Sequence, residues 1–382
     1  MDVQTRALEI VAQWDDELRR ELPADAGVFD VHIHLGLDID GIVGDYDQVE
    51  DLMARYGISR AFVFCLDEPD RHPSFSAAND RTLAFAERSN GRLIPFLRLD
   101  LDESPLEEAR RCLALGARGI KLHPRAQRFT ATDERLGPVF EVAAEHRVPI
   151  LIHGGRGLPP IADGLRRLVD RFPETTLIIA HAGIADLAGL ASRLGGRSGV
   201  LFDTSTWSPV DLLDLYRRVP PEQVVYASDY PYGQQPGSLL IALKTAARVG
   251  FSDAQLRAML GGTGSALADG APLPTPTSPV GDGSLVQPLQ LARIHQYLSM
   301  TTPLLWSRQP DTIGVLGLAI NACAERNGYV EEVDRIKELL VAARDLWTAL
   351  PGLENETDRR AATRLTFRLI LLADIEAVTA AA

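Results

Sequence analysis

Cysteine is scarce in this chain: Cys65, Cys112 and Cys323 are the only three among 382 residues. An odd, scattered set fits neither a disulfide framework nor a paired-cysteine metal knuckle, and it points to a reducing, cytoplasmic compartment. Long apolar runs are missing too, since no stretch reaches the ~18 uninterrupted apolar residues of a membrane helix. The N-terminal segment spaces Ile10, Val11 and Trp14 among Asp15, Asp16, Glu17, Arg19 and Arg20, which reads as an amphipathic helix and not as the basic stretch and apolar run of a secretory signal. Positive charge is in deficit, 39 Lys and Arg against 52 Asp and Glu, for a formal net charge of −13. Phosphate backbones and anionic surfaces are repelled on average, so neither nucleic acid nor membrane is expected as a partner. What is present is ordinary for a globular protein, 46% hydrophobic and 24% charged residues. That balance can bury a sizeable core, and it excludes collagen-like, coiled-coil and disordered chains.

Short runs rich in Val, Ile, Leu and Phe recur every ~25 to 33 residues, the length that one strand, one helix and two loops require. Eight occur, at 28–34, 61–66, 93–99, 119–122, 149–153, 176–181, 200–204 and 224–229, with helical patterns such as 106–115 and 136–146 between them. Eight β-then-α units predict an α/β fold of the closed (β/α)8 TIM-barrel type, whereas a doubly wound sheet usually stops at about five or six strands. The pattern then changes. Residues 270–288 are dense in Pro, Gly, Ser and Thr and read as an extended linker. Beyond them Val333, Ile336, Leu340, Ala343 and Trp347 share one helical face, as do Leu365, Leu369, Leu372 and Ile375. The expected organisation is an N-terminal helix (1–26) packing on the barrel, the barrel itself (27–269), the linker (270–288) and an all-helical C-terminal extension (289–382). Apolar faces on that extension predict docking on the barrel or a subunit interface, and a homo-oligomer with the tail as its candidate contact.

In a barrel of this kind the working residues project from the C-terminal ends of the strands. The first run ends Asp30-Val31-His32-Ile33-His34, and strand alternation puts both imidazoles on one face, where they can reach one cation. The fourth ends Lys121-Leu122-His123, the fifth on His153, the sixth on His181 and the eighth on Asp229. For any one histidine alone a hydrogen-bonded or exposed side chain is the commoner explanation. Four separate strands ending in imidazole, with a carboxylate on the last, predict a metal site.

Over about residues 27–268 these motifs, in this order, resemble the amidohydrolase superfamily. The strings FDVHIHLG, GIKLHP, LIIAHAG and ASDYPYG are similar to its amidohydrolase-related (amidohydrolase 2) branch of metal-dependent TIM-barrel hydrolases and decarboxylases. Thr263 departs from the Gly-Gly-Asn that this branch often carries, and the helical tail lies outside the resemblance. The resemblance implies a divalent metal, with zinc the ion best matched to nitrogen and oxygen ligands and manganese the alternative. His32, His34 and Asp229 would hold it, with His153 or Lys121 completing the set. Asp229 would accept the proton of an activated water and deliver it to the leaving group. His181 would bind a second ion or act as an acid toward the substrate oxygen. Lys121 decides the ion count: carboxylated, it would share a second ion with His153 and His181; unmodified, it leaves one, which is the preferred reading.

Arg98, His123, Arg125 and Arg156, with Gln127 nearby, are the candidate substrate contacts, and guanidinium groups suit a carboxylate-bearing or otherwise anionic molecule. Trp207 and Tyr230 are candidate apolar walls. Asp38-Ile39-Asp40-Gly41 lacks the closing glutamate of a calcium loop, Gly261-Gly262-Thr263-Gly264 lacks the lysine of a phosphate loop, and no Gly-x-Ser-x-Gly supports a serine nucleophile. The expected function is metal-dependent hydrolysis of a C–N or C–O bond in a small amide, lactone or ester. A decarboxylase on the same scaffold is the first alternative, and a non-catalytic barrel whose tail binds a partner is the second.

Overall fold

Alternate residues of the eight predicted runs turn inward, and this period of two builds the molecule. The computed structural model describes residues 2–23, 25–281, 286–307, 309, 311–325 and 328–380. Its barrel strands are β1 (Val28–Leu37), β2 (Ile58–Cys65), β3 (Leu93–Pro95 and Leu97–Arg98, interrupted at Phe96), β4 (Ile120–Leu122), β5 (Ile150–Ile152), β6 (Leu177–Ile179), β7 (Val200–Asp203) and β8 (Val224–Val225). Neighbours pair in parallel in chain order. The interruption in β3 is bridged where Phe96 N donates to Val63 O (2.8 Å) and Leu97 N to Gly119 O (2.9 Å). Val31 N donates to Tyr226 O at 3.1 Å, and Ile33 pairs with Tyr230, which joins the last strand to the first and closes the ring. The fold is a TIM barrel with a helical C-terminal extension.

Phe29, Val31, Phe62, Phe64, Phe96, Leu151, Ile178, Leu201, Val225 and Ala227 fill the lumen, while Ile150, Ile152, Leu177, Ile179, Val200 and Phe202 face the helices. Two residues further along four of the strands the inward side becomes polar: Arg98 follows Phe96, His153 follows Leu151, Asp203 follows Leu201 and Asp229 follows Ala227. The predicted runs thus overlie all eight strands, but the ladder of β8 stops at Val225. Asp229 is tied back to β1 by its own N–H, which donates to His32 O at 3.0 Å. A short antiparallel pairing of Gly36–Leu37 with Val43–Gly44 extends β1 above the mouth.

The N-terminal helix Val3–Glu21 is capped by Asp2, which accepts from Thr5 N at 3.0 Å, and it buries Ala7, Ile10, Val11, Trp14 and Leu18. Residues 271–281 form neither helix nor strand. They are pinned to the barrel's helices through Thr277 N on Glu222 Oε2 (3.0 Å) and Arg217 Nε on Gly281 O (3.1 Å). Residues 282–285 of the predicted linker lie outside the described residues. The tail consists of helices Leu289–Trp306, Thr312–Ala322, Val330–Ala349 and Glu356–Thr379. The last buries Leu365, Leu369, Leu372 and Ile375 and packs on Val330–Ala349, Leu289–Trp306, helix Gln235–Val249 and the N-terminal helix. A polar seam rims this contact: Lys244 Nζ lies 2.7 Å from both Glu17 and Glu21, Arg335 lies 2.9 Å from Glu17 and its guanidinium 4.5 Å over Trp14, and Arg368 pairs with Asp15. The four tail helices thus pack chiefly on one another, and helices Val330–Ala349 and Glu356–Thr379 join them to the N-terminal helix and to helix Gln235–Val249, while Leu289, Met300 and Leu318 remain exposed. Among the described residues no helix is long and apolar enough to cross a membrane.

Candidate metal centre

The pairing of β1 shifts register between Asp30 and Ile33. An irregularity of this kind adds a residue to one strand and re-aims those that follow. Val31 faces the lumen while Ile33 packs outward, so His32 and His34 both turn into the mouth. Asp30 holds the irregular segment, accepting from His32 N (3.1 Å), Ser228 N (3.0 Å) and Gln235 Nε2 (3.3 Å). Burial raises its carboxyl to about 6 against these bonds.

His32 Nε2, His34 Nε2 and Asp229 Oδ1 form a nearly equilateral triangle with edges of 3.2, 3.2 and 3.3 Å. A tetrahedral ion with ligand bonds of about 2.0–2.1 Å separates its ligands by about 3.3–3.4 Å, so the three atoms already stand where one divalent cation places its donors. Asp229 holds this position in the left-handed region (φ +57°), the kind of backbone strain that collects at functional sites. Among the described residues, His, Cys, Asp and Glu side chains converge in two places: this triangle and a partly exposed cluster of His72, Asp100 and Glu103 outside it.

Asp203, on β7, organises the ligands. Its Oδ2 lies 2.8 Å from His32 Nδ1, and its Oδ1 accepts from His181 N (2.8 Å) and Ser205 N (3.0 Å). A carboxylate only accepts, so His32 carries its proton on Nδ1 and turns a lone pair on Nε2 toward the triangle. We expect Asp203→Asn to weaken metal binding by about 10- to 100-fold, the usual effect of losing such a partner. Competition against a chelating indicator measures this, and the circular dichroism spectrum of the metal-free variant separates the effect from misfolding.

His181 sits just past β6 at φ +58°. Its Nδ1 lies 2.8 Å from Ser205 O, so the proton sits there and Nε2 is bare. His123 and His153 stack with ring centroids 3.9 Å apart, and His153 meets His181 edge-on at 4.5 Å. A Cβ on Gly155 would come within 2.8 Å of the His153 ring and 3.2 Å of His181; only glycine leaves these imidazoles their room. Lys121 Nζ reaches His32 Nε2 at 3.2 Å above the Phe64 ring. Burial pushes His32, His34 and His123 well below the usual imidazole range, and lowers His153 and His181 as well. It lifts Asp229 well above the carboxylate range, against the opposing charge of Lys121. Lys121 itself is lowered by burial to about 7, with Asp229 and Asp203 pulling the other way. Neutral imidazoles are the ligating form, and a bound cation reverses the cost of keeping Asp229 ionised. The donor set thus fits a divalent metal.

The structure brings His32, His34, Lys121, His123, His153, His181, Asp229 and Arg98 to one mouth, with His153 outside the triangle. Arg125 and Arg156 are not brought there. Arg125 is exposed, and Arg156, 71% exposed at its side chain, pairs with Asp211 at 2.7 Å. The loop after the two glycines carries Arg156 outward, where a long cation is hydrated at little cost. Gln127 Oε1 accepts from His123 N. Tyr230 is buried in the outer core, its hydroxyl 2.6 Å from Gln48 Oε1, so it lines no wall of the mouth. Tyr232 does, meeting His34 edge-on at 5.5 Å with its hydroxyl 2.9 Å from Asp38. Trp207 is 42% exposed after β7. Thr263 is fully buried, at the head of the short helix Thr263–Ala268 that packs on β1. Sequence reasoning missed Asp203, Ser205 and Tyr232. The signal for Asp203 was an acidic residue at an inward position of the apolar run Val200-Leu201-Phe202.

The family model described as amidohydrolase matches residues 29–267, more than half of the chain. Comparison with curated protein sequences returned no match. Among solved structures, the chain is similar to a Staphylococcus aureus protein provisionally described as an amidohydrolase (TM-score 0.51, 15% identity, 63% of this chain and 98% of that one). It is also similar to an uncharacterised TIM-barrel protein from Bordetella bronchiseptica (0.50, 14%, 63% and 98%). A third likeness is to IDCase from Metarhizium anisopliae in apo form (0.50, 17%, 63% and 96%). Identities this low speak to the fold alone, whereas the family model rests on the sequence. The chain belongs to the amidohydrolase family.

Proposed function

We propose that this protein is a metal-dependent hydrolase that opens a C–N or C–O bond in a small amide, lactone or ester, using one zinc ion held by His32, His34 and Asp229. The observation that carries the proposal is the triangle of 3.2, 3.2 and 3.3 Å between ligand atoms whose tautomer and orientation Asp203 sets. A divalent cation there supplies Lewis acidity, which makes water a usable nucleophile near neutral pH. Asp229 keeps its second oxygen outside the triangle, 4.0 Å from His181 Nδ1, and that oxygen receives the proton of the attacking water. His181, its own proton committed to Ser205 O, offers Nε2 as a second acceptor and becomes an acid toward the leaving group once protonated. Lys121 stays an unmodified amine beside His32, where its charge favours developing negative charge on the substrate.

Metal analysis of the purified protein tests this reading. One equivalent per chain, activity on a lactone, ester and amide panel that is lost on chelation, and recovery with zinc are the expected results. Two equivalents in protein prepared with bicarbonate would assign Lys121 to a carboxylated bridge with His153 and His181. Release of carbon dioxide from a 2-hydroxybenzoate-type acid without any hydrolysis would turn the proposal into the lyase alternative. A metal-free protein that neither zinc nor manganese activates would leave a scaffold.

A further inference from the structure

Arg98 Cα pairs in register with Lys121 across the parallel β3·β4 ladder, and in-register residues of parallel strands point to the same side of the sheet. Lys121 reaches His32 in the lumen, so the Arg98 side chain also rises inside the barrel. It is 2% exposed. Its backbone is clamped by one side chain, Asn79, which accepts from Arg98 N at 2.8 Å and donates to Arg98 O at 3.0 Å. The guanidinium rests over the Phe75 ring (4.5 Å) and spends Nη1 on Cys65 O (3.3 Å) at the end of β2. Its positive charge also lowers the proton affinity of His34, His123 and Lys121, so it faces the same mouth.

The other edge of the group is unused. Nε and Nη2 are buried and have no hydrogen-bond partner among the described residues. The carboxylate paired with Nη2, Asp67, stays 3.9 Å away, with its Oδ1 held at 3.2 Å by Arg71 Nε. Nε–H and the adjacent Nη2–H form the planar two-donor fork that grips a carboxylate side-on. Leaving such donors buried and unpaired is costly, so a fold that holds them open is shaped for an acceptor that arrives from outside. The metal ligands come from β1 and the β8 end, Arg98 from β3. A carboxylate held here is therefore gripped by a side chain that is not one of the three ligands.

Resting on the hydrolase reading for the reacting bond, we propose that Arg98 binds a substrate carboxylate through Nε and Nη2, so that the substrates are small carboxylic acids whose amide, ester or lactone bond lies at the His32–His34–Asp229 end of the mouth.

Glutarate and its uncharged diamide, glutaramide, probe this in the full chain, both as purified and after chelation. Glutarate raises the melting temperature and binds measurably by calorimetry in both preparations, glutaramide does neither, and Arg98→Met lowers glutarate affinity about 10- to 100-fold. Arg98→Lys, which keeps the charge without the fork, recovers only a minor part of that affinity. Equal binding of the diacid and the diamide by the wild-type chain overturns the proposal without any variant having to fold. Undiminished glutarate binding by a folded Arg98→Met protein, judged by circular dichroism, overturns it as well. The chelated preparation keeps the two readings apart: Arg98-dependent binding in a protein that never hydrolyses anything sinks the hydrolase reading alone, and hydrolysis of acids and neutral analogues with equal KM sinks the carboxylate fork alone.

Discussion

Asp229→Asn is expected to lower turnover by about 10³-fold or more and to weaken zinc binding together with it. Two losses combine in one atom change. The amide nitrogen or oxygen that replaces Oδ1 remains 3.2–3.3 Å from the two imidazole nitrogens, but it brings no negative charge to a divalent ion, so the ligand set loses its only anion. The second oxygen loses its capacity to take a proton, and a positioned acid–base group alone is worth about 10²- to 10⁴-fold. Asparagine is close to isosteric and tolerates the left-handed backbone of this position (φ +57°). The backbone bond from residue 229 N–H to His32 O does not depend on the side chain. The variant should therefore fold, with an unchanged circular dichroism spectrum, and the deficit should appear in kcat and in metal titration. Full activity with bound zinc in Asp229→Asn would remove this residue from the chemistry.

The strand ends were the legible part of this molecule, because alternation is a local property. Once Leu151 or Ala227 is taken as inward, His153 and Asp229 follow two residues later. His32 and His34 come to the mouth by alternation as well, yet the register shift that lets Val31 share the inward side could not be read from the residues. Asp203 shows where local reading stops. Its role depends on β7 standing close enough to His32 for a 2.8 Å contact across the lumen, a fact of barrel closure and not of the string Val200-Leu201-Phe202-Asp203. Arg98 and Arg156 looked alike as arginines after strand-like runs. The first lies in register with Lys121 and is buried, while the second leaves on a loop and pairs with Asp211. The tail's helices are visible in their apolar periodicity, but their packing partners are not, because helix Glu356–Thr379 meets Val330–Ala349, Gln235–Val249 and the N-terminal helix only in the assembled fold.

His181→Asn separates the one-ion from the two-ion centre. Asparagine accepts the φ of +58° at this position, retains the backbone N–H that Asp203 Oδ1 accepts at 2.8 Å, and sets an amide N–H where His181 Nδ1 meets Ser205 O at 2.8 Å. What disappears is the bare Nε2. If His181 is a proton-carrying group and only that, kcat falls by about 10²- to 10⁴-fold, the bound metal stays at one equivalent per chain, and its affinity is unchanged, because no atom of the His32–His34–Asp229 triangle has moved. If His181 is instead a ligand to a second ion with His153 and a carboxylated Lys121, the variant loses one of two equivalents before any question of rate arises. Measured side by side, metal stoichiometry and kcat give different answers for the two arrangements: a rate deficit with constant metal supports the single zinc, and a fall from two ions to one excludes it.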